Sequence, residues 1–142
     1  MDRRNLTVIT NALNIALLLG AVPGNEILVT GGEFKPPTLS LTGEKAAVFF
    51  QQLHVSQLFL ATGGISLNGE LTYPGLNDIP VKKAMIASAN EIFLLADSTK
   101  FGKASLAILG GIELVNYIIT DACIQQKYID YCEKRRVKVI IA

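Results

Sequence analysis

Ile92-Phe-Leu-Leu-Ala-Asp-Ser-Thr-Lys-Phe-Gly-Lys103 decides the architecture, because five apolar residues in a row stop abruptly at a polar, turn-forming segment. A run this short with no alternating polar side chains is a strand covered on both faces, the situation of a parallel sheet between helices. Just upstream, Val81, Met85 and Ala89 recur at helical spacing, with Pro80 in the first turn and Asp78 placed to cap a helix from Ile79 to about Asn90. Downstream, Ala104 to Leu109 can be extended up to a break at Gly110-Gly111, and Tyr117-Ile-Ile-Thr120 is a further strand ending at Asp121. A final helix to Arg136 and a strand from Val137 to Ile141 close the chain.

The N-terminal half repeats the alternation. Leu6 to Thr10 is a β-branched strand, Asn11 a candidate N-cap, and Ala12 to Val22 an apolar helix ended by Pro23-Gly24. That run contains Asn14, has about half the length needed to span a bilayer, and reads as a buried helix. Glu26 to Thr30 is a strand stopped by Gly31-Gly32, followed by an irregular loop through Pro36-Pro37 to Gly43. Ala46, Phe49, Phe50 and Leu53 mark the next helix, and Val55 to Ala61 the next strand. Residues 62 to 78 form the longest connection, rich in turn formers and too long for a mere link. The expected fold is one α/β domain over residues 1–142: a mostly parallel sheet flanked by helices on both faces, in three layers.

With 142 residues, half of them apolar, the chain can fill one interior. Its 13 basic and 12 acidic residues leave no field strong enough to hold it on nucleic acid or an anionic membrane. The basic groups Arg3-Arg4, Lys82-Lys83, Lys100 with Lys103, and Lys134-Arg135-Arg136 lack interleaved aromatics and read as solvated faces. Cys123 and Cys132, placed in one helix roughly 13 Å apart along its axis, cannot pair and read as reduced thiols. No cofactor, metal ligand set or catalytic residue is expected, since no nucleophile elbow, P-loop lysine, His-Glu-x-x-His pair or cysteine cluster is present.

In parallel sheets ligands bind beyond the carboxyl ends of the strands. That selects Thr10 and Asn11, Gly31 and Gly32, Thr62, Gly63 and Gly64, and the Asp97 to Lys100 loop. Glycine admits a ligand close to the backbone, and helix N-termini offer N–H groups to phosphate, although a glycine pair after a strand can equally be a plain turn. Asp97 can accept from sugar hydroxyls and Lys100 supplies a compact cation; the alternative is an exposed turn with a local ion pair. His54, the only histidine, has no neighbouring partner and reads as structural. Tyr73 could face a sugar ring or an adjacent subunit, or anchor its loop.

The run Leu94 to Gly102, preceded by Val81-Lys-Lys-Ala-Met-Ile86 and followed by Ile118-Ile-Thr-Asp121, resembles the sensor domain of DeoR-type bacterial transcription regulators. Leu6-Thr-Val-Ile-Thr-Asn11, Gly31-Gly32, and Phe59-Leu-Ala-Thr-Gly-Gly-Ile65 with Asn68-Gly69 agree in the same order. The resemblance implies a fold like ribose-5-phosphate isomerase, glucosamine-6-phosphate deaminase and CoA transferases, used to sense a phosphorylated sugar effector. Asp97 and Lys100 would be the leading contacts, with Thr10, Asn11, Gly31, Gly32, Thr62, Gly63 and Gly64 lining the cleft. It further implies a homo-oligomer that meets operator DNA through an N-terminal winged helix-turn-helix, while the reduced thiols and balanced charge are read as those of a cytoplasmic protein away from membranes. The family pattern has another strand and a phosphate loop before Leu6, and the DNA-binding module before those, so this chain is expected to be part of a longer regulator. A small isomerase of related fold is the alternative. It needs a base near the substrate, and the loop Ala61 to Ser66, where related isomerases place acids, contains none.

Overall fold

The computed structural model describes residues 5–142, so the Arg3-Arg4 pair lies outside it. Thr7–Thr10 (β1), Leu13–Gly20 (α1) and Glu26–Val29 (β2) form a first β-α-β unit. Glu33–Lys35 (β3) and Ser40–Thr42 (β4) pair as an antiparallel hairpin, and Glu44–Gln51 (α2) leads into Val55–Ala61 (β5). Gly64–Ile65 (β6) and Glu70–Tyr73 (β7) precede Asp78–Ser88 (α3) and Ala89–Leu95 (β8). Ala107–Gly111 (β9), Tyr117–Thr120 (β10), Gln126–Lys134 (α4) and Lys138–Ile141 (β11) complete the chain.

The central sheet is wholly parallel, in the order β11-β10-β8-β5, and β1 pairs parallel with β2 in a separate sheet. An antiparallel layer, β6-β7-β9, lies outside both. Each crossover from β5 to β8 to β10 to β11 steps the same way, and since such crossovers are right-handed, what connects them falls on one face. Accordingly Leu60, Leu94 and Ile118 of the sheet are buried in one core with Val81 and Met85 of α3 and Cys132 of α4. In the β1-β2 pair, Ile9 packs on that core, whereas Ile27, in register with Val8, approaches α1 at Gly20. Thus α1 lies on the opposite side from α2, α3 and α4, and the α/β class with helices on both faces holds.

The far face of the central sheet carries a row of rings. Phe59, Phe93 and Tyr117 stack across β5, β8 and β10 with centroids 5.2 and 4.7 Å apart. Phe59 remains 58% exposed.

Several local expectations are corrected. The apolar helix is not buried: α1 buries no residue and leaves Leu17 78% and Leu18 67% exposed, because only one flank rests on β1-β2. Asn11 is not its N-cap; the helix starts after Ala12, and the Asn11 amide donates to the Leu41 carbonyl at 2.9 Å. Asp78 sits inside α3 rather than capping it, with its carboxylate on the Gly75 N–H and the Lys35 ammonium. The loops at 33–43 and 62–78 contain the β3-β4 and β6-β7 hairpins. Gly110-Gly111 does not break the extended segment but ends β9, opposite a register shift at Leu71/Thr72. Cys123 precedes α4 and is exposed, so only Cys132 is helical. Lys82 is no solvated pair with Lys83: it is half-buried, its ammonium 5.7 Å from the Tyr73 ring centroid.

Candidate functional site

The loops that follow the parallel strands fall into two groups. In the first, the Thr10 hydroxyl accepts the Ala12 N–H at 3.0 Å and the Thr10 carbonyl accepts the Thr30 N–H at 3.2 Å, tying the ends of β1 and β2 together. The Asn11 carbonyl accepts the Leu41 N–H at 2.7 Å, so the Asn11 carbonyl and side-chain amino group are both bonded to β4. Gly32 is obligatory: its φ is +131°, and a Cβ there would lie 2.7 Å from the Thr42 carbonyl oxygen. Gly31 is exposed, with open space where a side chain would be.

The second group joins the loops after β5 and β8. The buried Thr62 hydroxyl faces the carbonyls of Gly64 at 3.1 Å and Thr72 at 3.0 Å, and the Gly63 N–H donates to Thr72 at 2.9 Å. A Cβ on Gly64 would stand 2.5 Å from the Lys103 carbonyl oxygen, and the N–H groups of Gly102 and Lys103 both donate to the Ile65 carbonyl. The Gly63-Gly64 pair therefore allows two loops to touch, and the Gly63 amide is already engaged.

Asp97 shapes the turn after β8. Its carboxylate accepts from the Thr99 N–H at 2.9 Å and from the Thr99 hydroxyl, bonds that hold its pKa below the usual carboxylate range. Asp121, at the end of β10, accepts from the Ser98 N–H at 2.7 Å and the Cys123 N–H at 2.8 Å, and these backbone donors likewise lower its pKa. The Lys100 N–H closes the turn on the Asp97 carbonyl at 3.0 Å. The Lys100 ammonium takes no part in an ion pair, since the single pair among the described residues is Lys35–Asp78.

Threonines recur at this edge: Thr10, Thr30, Thr62 and Thr120 are all buried at or just beyond the ends of β1, β2, β5 and β10. The hydroxyls of Thr30 and Thr120 have no hydrogen-bond partner among the described residues. A buried hydroxyl without a partner forfeits its hydration, so each such group calls for an explanation. Sequence reasoning missed Thr30, Thr120 and Asp121 as site groups; the available signal was a polar residue closing each strand. It also missed Lys35 and Lys82. The bond from Lys35 to Asp78, 3.1 Å, ties β3 to the start of α3, and burial pushes the Lys82 ammonium below its ordinary range despite nearby Asp78.

The structure thus brings Thr10, Asn11, Gly31 and Gly32 together at the β1-β2 end, and Thr62, Gly63, Gly64, Asp97 and Lys100 at the β5-β8 end. The two groups are bridged by the β3-β4 hairpin through Lys35–Asp78 and the Gly43 N–H bond to Asn77. Two acids near these loops make local bonds: Asp78 binds Lys35 and Gly75, and one Glu70 oxygen lies 3.4 Å from the Ser66 hydroxyl. Tyr73 is the loop anchor, its hydroxyl donating to the Ala61 carbonyl at 2.6 Å. No helix among the described residues is long and apolar enough to cross a membrane.

Residues 1–122 match the DeoR C terminal sensor domain. The chain is 34% identical over 142 residues to the transcriptional repressor AccR of Agrobacterium fabrum, covering 99% of this chain and 55% of that protein. It is 27% identical over 139 residues to the transcriptional regulator IolR of Bacillus subtilis, covering 98% and 55%. With the glycerol-3-phosphate regulon repressor of Escherichia coli it shares 29% over 122 residues, covering 86% and 48%. The chain spans about half the length of these curated relatives. The strand-end loops, the parallel sheet and this match over most of the sequence place it in one group: the chain belongs to the DeoR C-terminal sensor domains of transcription regulators.

Proposed function

We propose that this sensor domain binds a phosphorylated sugar or polyol at the carboxyl edge of its parallel strands and performs no chemistry on it. The observation that carries the reading is the Lys100 ammonium, without an ion pair among the described residues, in a turn at the carboxyl end of the central sheet, where the buried Thr120 hydroxyl also has no partner among them. Hydroxyls and one cation suit a polyol phosphate, and Asp97, its second oxygen not fixed by Thr99, supplies an acceptor. Thr10, Asn11, Gly31, Gly32 and Thr62 line the edge, while Gly63 and Gly64 set the distance between its loops. One relative is named for a glycerol-3-phosphate regulon, which fits this ligand class. The absence of an acid from the loop Ala61 to Ser66 supports sensing over isomerisation.

In the whole regulator, effector binding alters the grip on operator DNA of a helix-turn-helix domain carried elsewhere in the polypeptide. The regulator works in the cytoplasm as a homo-oligomer. The experiment is a thermal-shift titration of the chain with ribose 5-phosphate, glucose 6-phosphate, glycerol 3-phosphate and inorganic phosphate. At least one organic phosphate should raise Tm in a saturable way, because selective binding to the native state stabilises it. Lys100→Ala should weaken that binding about tenfold to a hundredfold, as removal of a charged hydrogen-bond donor does. Failure of every phosphate to stabilise the chain would overturn the reading. Turnover of ribose 5-phosphate would replace it with the isomerase.

A further inference from the structure

A cavity lies away from the strand ends, between α4 and the β6-β7 turn. Its volume is 260 Å³, and none of the nine strand-end residues discussed above lines it. Ile65 and Ile112, both buried, belong to its lining, with Phe101, Tyr128 and Tyr131 as aromatic walls. The Phe101 and Tyr128 rings stand 5.1 Å apart at 37°. Two glycines make room for the tyrosines: a Cβ at Gly69 would overlap the Tyr131 hydroxyl, and one at Gly102 would lie 2.7 Å from that of Tyr128. Both have positive φ, +74° and +80°, so the local backbone also favours glycine.

We propose that this cavity is a ligand site for a small aromatic acid, its ring among Phe101, Tyr128 and Tyr131 and its carboxylate towards Lys127. Size sets the class. An apolar cavity of about 150 Å³ holds benzene, so 260 Å³ admits a ring with a short substituent but not a drug-sized molecule. Charge sets the substituent. Lys127 is the only charged side chain in the lining, its ammonium is 4.9 Å from the Tyr128 ring centroid, and no ion pair engages it among the described residues. Cys132, also in the lining, is a neutral thiol at pH 7 and does not repel an anion.

The cavity is joined to the strand-end site by the backbone. Phe101 directly follows Lys100, and the next two N–H groups, of Gly102 and Lys103, both hold the Ile65 carbonyl. A ring seated against Phe101 therefore touches the residue next to Lys100, which places the cavity beside the same turn.

Phenylacetate, with toluene as the uncharged comparison, tests the site on the 142-residue chain. Phenylacetate should raise Tm with millimolar concentration and shift the ring resonances of Tyr128 and Tyr131. Lys127→Ala should weaken phenylacetate about fivefold and leave toluene unchanged. Cys132→Phe, which fills the cavity, should abolish both; if it does not fold, Leu67→Trp at the exposed rim should weaken both. Absence of ring shifts at millimolar phenylacetate would overturn the proposal. So would phenylacetate binding that ignores Lys127→Ala and both blocking variants, since the ligand would then lie elsewhere. Neither failure touches the sugar-phosphate reading, which titration of Lys100→Ala reads separately.

Discussion

Two carboxylates, Asp97 and Asp121, hold the turn at Ser98–Lys100 from opposite sides, one from within it and one from the next strand. Each has its pKa lowered by hydrogen bonds present only in the folded chain. A carboxyl so depressed contributes stability above its ordinary value of about 3.9 and loses it as pH falls through the lower folded value. The Ser98 and Cys123 amide proton resonances should therefore stay constant from pH 7 to about 4 and move only below that. The two cysteines behave oppositely. Cys123 is exposed, whereas burial pushes the Cys132 thiol from 9.0 up to about 11. Iodoacetamide at pH 8 should label Cys123 at least about tenfold faster, because only the thiolate reacts. The raised value also means that the Cys132 contribution to stability is complete below about 9 and is lost as pH rises towards 11. At this scale the sequence named Asp97 and Lys100 but not Asp121, whose role depends on β10 lying beside β8, a long-range fact. Lys82 was misread for the same reason, since Tyr73, over which it sits, comes from a different element.

Among the elements, strands with uninterrupted apolar runs were legible: Val55–Ala61 and Tyr117–Thr120 have the expected bounds. The hairpins were not, because β6 has two residues and β3 and β4 three each, too short for any period to register. Their pairing is decided by packing. Leu71 and Thr72 of β7 are buried at 0% and 1% exposure, and the Thr72 hydroxyl both donates to Gly64 and accepts from the Ser105 N–H. Gly64→Ala should push the 97–105 segment off this hairpin, lowering stability by about 1–3 kcal/mol and weakening any ligand held by Lys100; paired melts and titrations check both. Tyr73→Phe removes the bond to the Ala61 carbonyl and should cost about 0.5–1.5 kcal/mol in denaturant unfolding.

For the whole molecule, the alternation of apolar strands with helices made the α/β class legible, because a near-continuous apolar run has no alternative but burial on both faces. The same reading misjudged α1, whose run is equally apolar yet exposed at Leu17 and Leu18. The sequence specifies what a helix can bury, not whether the fold supplies a second surface to bury it against. Leu17 and Leu18 are adjacent and both more than half exposed, an apolar exposure at the surface of α1. The chain should therefore associate with rising concentration in light scattering. Leu17→Glu with Leu18→Glu should suppress that while changing stability by no more than about 0.5 kcal/mol.

The β1-α1-β2 unit is fastened to the remainder mainly by Ile9 and by three hydrogen bonds between residues 11–13 and the segment 39–41. It is therefore expected to open as a leaf, ahead of the trunk formed by the central sheet. Deuterium should enter the amides of residues 7–29 well before those of Leu60, Leu94 and Ile118, and at a free energy below that of global unfolding. Half of the strand-end loops ride on that leaf, so a ligand bridging Thr10 and Lys100 would clasp it shut and slow this exchange, an effect that needs no change in the resting conformation.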